Sequence, residues 1–177
     1  MTTLLLARHG ETDWNRERRL QGSTDTQLND LGRSQAMQLA AELEDVELAA
    51  IYSSDLRRAR ETAEIVAEWK GLDVHADRGL RERSFGSWEG LTRDEIAERF
   101  PDLEHHDGEG DEQVRSRVLA AMQRIVTAHP RGNVLVVSHG SALNALWHHA
   151  SGERLERWGN CIVYRLAVRD GKMTPVD

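Results

Sequence analysis

The chain holds a single cysteine, Cys161, in 177 residues. An internal disulfide is therefore impossible, and nothing ties the sequence to an oxidising compartment. Long apolar runs are missing too. Near the N-terminus only Leu4 to Ala7 is apolar, far short of a signal peptide or a membrane span. The reading is a cytoplasmic protein with no membrane partner. Positive charge is in deficit, with 23 Lys and Arg against 30 Asp and Glu and a formal net charge of −7. Nonspecific nucleic-acid binding relies on a basic surface, so nucleic acid is not an expected partner. Low-complexity tracts and dividing linkers are also lacking, and 177 residues suit one domain over residues 1–177. No heptad or exposed apolar strand decides the oligomeric state.

What the sequence does contain is one figure, written twice. Leu4-Leu5-Leu6-Ala7 runs into Arg8-His9-Gly10, and Val134-Leu135-Val136-Val137 runs into Ser138-His139-Gly140. Uninterrupted apolar runs of this length suit strands covered on both faces, as in a parallel sheet with helices above and below. In such sheets the ligand crevice lies beyond the carboxyl ends of the strands. Both His-Gly pairs fall there. The chain therefore reads as an α/β fold.

The elements between the two figures follow from spacing. Strand one covers about residues 2–7, and residues 8–30 read as a long functional loop. Asn29 to Gly32 opens a helix with Ala36, Leu39, Ala40 and Leu43 on one face. A short strand at 49–52 precedes Ser53-Ser54-Asp55, read as the N-cap of a helix to about Trp69. On that helix Leu56, Ala59, Ala63, Val66 and Trp69 form the core face. Arg57–Glu61 and Arg60–Glu64 are i,i+4 pairs on the opposite arc, whereas Arg58 sits at the edge of the core face. Residues 71–76 are a turn and short strand, and 80–90 an aromatic, charged loop. Thr92 to Glu95 matches a capping box for a helix ended by Pro101. Residues 102–111 read as an acidic loop, followed by a long helix carrying Val114 to Val126. A buried strand at 133–137, a helix around 142–149, a strand at 161–168 and a turn at 169–172 complete the chain.

An arginine beside a histidine and a glycine at a strand end suits a phosphate site. The guanidinium offers two donors in a fixed fork, and glycine lets the backbone approach closely. Arg58 is the second arginine placed to hold the same group. Of two histidines in one crevice, one can be neutral and attack phosphorus while the other, protonated, stabilises the transferring oxygens. Glu82 or Glu89, beside Phe85 and Trp88, can supply the proton a leaving alkoxide needs. Competing structural roles exist. Glu82 suits a solvated loop, and Glu89 precedes a helix whose N-terminus it would favour. His148 and His149 suit a helix C-terminus. His105 and His106 have no second pair at ligand spacing, so no metal is expected. His75 and His129 look like ordinary surface or strand residues, and Trp14 is pocket wall or core.

Arg8-His9-Gly10-Glu11-Thr12 with Trp14-Asn15 and Gln21-Gly22 resembles the signature of the histidine phosphatase superfamily, the phosphoglycerate mutase-like proteins. The resemblance continues through Asp25, Leu28, Gly32 and Gln35-Ala36. Ser53 to Ala59 with Thr62-Ala63, Leu80-Arg81-Glu82 with Phe85 to Gly90, and Ser138-His139-Gly140 resemble its later blocks, in order. The resemblance implies a three-layer α/β sandwich around a mostly parallel sheet and a phosphohistidine intermediate, with no metal and no cofactor. It implies His9 as nucleophile, Glu82 rather than Glu89 as proton donor, and Arg8, Arg58 and His139 as the phosphate pocket. Asn15 would add a phosphate contact, Gln21 and Gly22 would line the mouth, and Gly140 belongs to the same pocket. The expected partner is a small phosphomonoester. Trp88-Glu89-Gly90 resembles the phosphatase branch, and the short span from Glu82 to His139 leaves little room for a basic mutase lid. The alternatives are a mutase-type phosphotransferase and a non-catalytic phosphate-binding protein. If the acidic segment 102–111 borders the pocket, it should disfavour polyanionic substrates.

Overall fold

A computed structural model describes residues 1–102 and 107–176. Six strands form one sheet: β1 (Thr2–Arg8), β2 (Leu48–Ser53), β3 (Val74–Ala76), β4 (Gly132–Ser138), β5 (Val163–Arg169) and β6 (Lys172–Val176). The order is β3-β2-β4-β1-β5-β6. The first four run parallel, and β5 and β6 are antiparallel additions at one edge. Among the described residues six α-helices accompany them: α1 (Asp13–Arg16), α2 (Asp30–Glu42), α3 (Arg57–Lys70), α4 (Arg93–Arg99), α5 (Asp111–Ala128) and α6 (Gly140–Ser151). None of the described helices is long and apolar enough to cross a membrane.

The apolar runs of β1 and β4 are explained by two separate cores. Successive side chains of a strand face opposite ways. Leu4, Leu6, Val134 and Val136 pack beneath α5 and α6 with Val118, Met122, Ile125 and Leu146. Leu5, Ala7, Leu135 and Val137 pack beneath α2 and α3 with Leu39, Ala63 and Val66. Each fully buried leucine is worth about 1.5–3 kcal/mol, so a polar residue anywhere in either run would be costly. The result is a three-layer α/β sandwich with a mostly parallel sheet.

Several local expectations change. The long loop contains α1, whose N-cap Thr12 accepts from the Asn15 N–H while the Asn15 side chain accepts from the Thr12 N–H. Helix α3 starts at Arg57 rather than after a Ser-Ser-Asp cap. Ser54 Oγ accepts from Leu56 N–H, and Asp55 is held by two Arg81 donors at 2.7 Å. Trp69, expected on the core face, is 52% exposed, two residues before the helix is capped at Gly71 in the left-handed conformation. Arg60–Glu64 forms at 2.7 Å, whereas Glu61 is taken by Arg33 across the α2–α3 interface. The capping box at Thr92 and Glu95 is present. The expected 169–172 turn leads into β6, which has little apolar pattern and is legible only as the partner of β5. Asp111 is already the first residue of α5. His105 and His106 lie outside the described residues.

Candidate active site

Register brings the two histidines together. Arg8 on β1 pairs with Ser138 on β4, so the chain leaves the sheet at His9 and His139 side by side. The His9 N–H donates to Ser138 O at 3.0 Å, and the two rings lie 5.1 Å apart between centroids. His9 is 2% exposed and His139 fully buried. Behind them the chain crosses itself closely. A side chain at Gly10 would strike the Gly32 backbone, and one at Gly32 the Glu11 carbonyl. Both positions need glycine.

His9 Nδ1 lies 2.7 Å from Gly10 O. A carbonyl only accepts, so Nδ1 carries the hydrogen and Nε2 keeps its lone pair. Burial holds His9 well below its ordinary titration range, and the Arg58 and Arg8 charges lower it further. The same causes, burial first and then Arg58, keep His139 neutral. In the ligand-free site both histidines are thus disfavoured as cations. The local field comes from two arginines, and it opposes a third positive charge.

Arg58 is fully buried in the first turn of α3. Its guanidinium donates to Gly22 O and Thr24 O, both at 2.8 Å, which explains why it left the solvent arc of its helix. Burial, opposed by Glu82 and Asp25, pulls it down to about 10, so it stays charged at neutral pH. Arg8 donates to Trp158 O at 3.0 Å. Neither arginine forms an ion pair among the described residues. Arg8 Nε, Arg58 Nε and both ring nitrogens of His139 are buried with no hydrogen-bond partner. A buried unmet donor costs about 1–3 kcal/mol. An oxyanion satisfies several at once.

Glu82 stands across the pocket. Its Oε1 accepts from the Arg83 N–H at 2.8 Å and the Ser141 N–H at 3.1 Å, at the start of α6. A methyl group placed on Gly140 would lie 3.9 Å from both Arg8 Nε and Glu82 Oε2, so Gly140 keeps the space between them open. Arg117, which no motif singled out, fixes this strand of backbone by donating to the carbonyls of Gly79, Arg81 and Glu82. Asn15, Gln21 and Gly22 line the mouth of the same cavity, whose volume is about 280 Å³. The Leu155–Trp158 segment also lines this cavity, and it was not expected there.

Glu89 does not share this position. Its carboxylate accepts from the N–H and hydroxyl of both Ser23 and Thr24, and from the Phe85 N–H. Burial raises its titration point, but those hydrogen bonds outweigh burial and hold it below the usual carboxylate range. Glu89 thus braces the turn whose Gly22 and Thr24 carbonyls aim Arg58. Glu89→Gln should raise the KM for a phosphoester about tenfold by loosening that arginine, as loss of charge-assisted bonds implies. Steady-state kinetics would check this, and an unchanged KM would remove the brace from the site.

Two carboxylates of the acidic segment are ion-paired. Glu109 accepts from Arg117 and from the Ser84 N–H, and Asp111 is bridged by Arg83 and Arg154. These two carboxylates are therefore paired with arginines. His148 and His149 occupy the last turn of α6. His129 meets the Tyr52 hydroxyl at 3.1 Å, and His75 packs on the Tyr52 ring. Trp14 packs its ring against Gly90. Among the described residues no group of three or more His, Cys, Asp or Glu is placed to hold a metal ion.

The sequence profile of the histidine phosphatase superfamily (branch 1) matches residues 4–176. The chain belongs to this family. Within it, the uncharacterized phosphatase PhoE of Bacillus subtilis (strain 168) is 37% identical over 152 residues, 86% of this chain and 79% of PhoE. Phosphoglycerate mutase-like protein 4 of Arabidopsis thaliana is 36% identical over 184 residues, covering 95% and 80%. The mycobacterial glucosyl-3-phosphoglycerate phosphatase solved with VO3 superposes with a TM-score of 0.89 at 32% identity, covering 98% and 96%. Phosphatase and mutase names thus both occur among this chain's relatives in the histidine phosphatase family.

Proposed function

We propose that the chain is a phosphomonoesterase that works without a metal through a phosphohistidine on His9. The observation that carries this reading is the convergence of unpaired buried donors on a neutral imidazole. Arg8, Arg58 and His139 offer unmet N–H groups, and His9 offers a lone pair at the same place. The arginine forks and His139 would hold the three phosphoryl oxygens. His9 Nε2 then attacks phosphorus in line, and the P–O bond to the leaving alcohol breaks. Glu82 gives its proton to that alkoxide and, ionised, takes one from the water that attacks the phosphohistidine. As the anion arrives, its charge offsets the two arginines, and His139 then gains the proton it lacks in the free site.

Water as acceptor is favoured by the Trp88-Glu89-Gly90 motif and by the short span between Glu82 and His139. The mutase-named relatives favour the other fate, return of the phosphoryl group to a bound hydroxy acid. Hydrolysis of an aryl phosphate in excess chelator, with acid-stable and base-stable linkages distinguished on the trapped phosphoenzyme, tests the proposal. We expect chelator-resistant turnover and an acid-labile phosphoramidate on His9. Turnover that chelator abolishes would overturn the metal-free mechanism. A phosphoenzyme that discharges only to an added phosphoglycerate would assign the mutase fate instead.

A further inference from the structure

Glu82 sits on a stretch of chain that no strand or helix holds. Residues 81–85 run between two single-turn 3-10 helices, Arg78–Leu80 and Gly86–Trp88. Backbone groups there have no ladder to satisfy them, so side chains must do it. Most of those side-chain contacts come from two residues. Arg117, in the second turn of α5, places all five of its N–H groups at this one point. Nη1 donates to Gly79 O at 3.1 Å and Arg81 O at 2.6 Å, and Nη2 to Glu82 O at 2.8 Å. Nε and the second Nη2 hydrogen go to the two Glu109 oxygens, each at 2.7 Å.

Glu109 continues the bracket past the acid. Its carboxylate accepts from the Ser84 N–H at 3.0 Å, and its own N–H donates to Ser84 O at 2.9 Å. The Arg117 hydrogen bonds hold Glu109 below the usual carboxylate range, so the pair stays charged at neutral pH. The carbonyl left over, Leu80 O, accepts from the Ser138 hydroxyl at 2.7 Å. The segment is thereby referred to the end of β4, the strand that delivers His139. Close packing of α5 makes this possible. A methyl group on Gly79 would come within 2.9 Å of Ala121 Cβ. Neither Arg117 nor Glu109 lines the catalytic cavity.

Building on the phosphomonoesterase reading, we infer that Arg117 and Glu109 are positioning residues for the proton donor. They touch neither the phosphoryl group nor the leaving alcohol. They fix the backbone on both sides of Glu82, so that its carboxyl stands at the Ser141 N–H and within reach of the leaving oxygen. A displacement of about 1 Å in such a group can cost about 100-fold in rate.

The test uses two mild substitutions and one cycle. Glu109→Gln keeps an acceptor for Ser84 but loses the charge that pairs with Arg117. Arg117→Lys keeps the charge but has three donors for five acceptor contacts. Each should lower kcat for alkyl phosphates by about 10- to 100-fold, with little change in KM and a much smaller loss for nitrophenyl phosphate. In a Glu82→Gln background neither should cost more, because both act through Glu82. Equal losses for alkyl and aryl esters, or losses that multiply with that of Glu82→Gln, would overturn the inference in favour of a purely structural role. Hydrogen exchange at the Ser141 amide, whose acceptor is the Glu82 carboxylate at 3.1 Å, reads the same placement without turnover. Exchange there should quicken in both variants, whereas the Leu143 amide, bonded to His139 O at 2.9 Å, should keep its rate. An unmoved Ser141 rate would also overturn the inference. A native protein that hydrolyses no phosphoester while Ser141 responds as expected would count against the phosphomonoesterase reading alone.

Discussion

His9→Ala is expected to abolish turnover, by on the order of 10⁴-fold or more, while leaving oxyanion binding in place. The first half follows from the mechanism, in which the His9 Nε2 lone pair forms the covalent bond to phosphorus. The second half follows from the geometry. Arg8, Arg58 and His139 are positioned by backbone carbonyls, by burial and by the Trp158 segment, none of which needs the His9 ring. Removing the ring leaves their unmet N–H groups as they were. Vanadate or phosphate should therefore raise the melting temperature of the variant as it does that of the native protein, in proportion to RT ln(1 + [L]/Kd). A variant that neither turns over nor responds to the anion would mean that the pocket depends on His9 for its shape.

The titration of the two histidines adds a pH dependence with a definite sign. Both are held well below 6.5 in the folded chain, chiefly by burial. Below about pH 6.5 the unfolded chain binds protons at these positions that the folded chain refuses, so stability falls as the pH falls. Bound phosphate should oppose this loss, because the anion favours the protonated rings. The nucleophile itself stays neutral into mildly acidic solution. Activity should then extend below pH 6 until unfolding, followed by circular dichroism, sets the limit.

Much of this site was legible because it is written at strand ends. An apolar run stopping at Arg-His-Gly marks both a buried strand and the point where its chemistry begins, and β1 and β4 carry the figure in register. Arg58 was legible for a related reason, since its neighbours Arg57 and Arg60 lie on the solvent arc and it does not. What stayed hidden depends on contacts between distant segments. Glu89 and Glu82 look equivalent by composition and spacing, and beyond the family resemblance it is the folded chain that shows why they differ, one tied to Ser23 and Thr24 and the other facing Arg8 across Gly140. Arg117 lies on an ordinary helix face, and its three carbonyl partners come from a different part of the chain. The Leu155–Trp158 wall has no periodicity at all, and its place is set by Asn144 and by an aromatic cluster. Trp69 failed in the opposite sense. Its helical phase is right, but the core ends before the helix does.

Glu82→Gln should slow esters of poor leaving groups by about 10²- to 10⁴-fold, the usual worth of a positioned acid, and activated aryl esters far less. An aliphatic alkoxide cannot depart without a proton, whereas a nitrophenolate can. Glutamine keeps the size of the side chain, and its amide oxygen can still accept from the Ser141 and Arg83 N–H groups that hold Oε1 now. The substitution therefore removes the proton with little change of position. Glu89→Gln serves as the contrast, since that residue holds the turn behind Arg58 and should impair both ester classes alike through binding. Measured on a series of phosphates of graded leaving-group pKa, the Glu82 variant should show a steep dependence where the native protein is nearly flat. Parallel lines for the two proteins would take the acid role away from Glu82. A steep line for Glu89→Gln alone would transfer that role to Glu89, against the hydrogen bonds that keep Glu89 ionised.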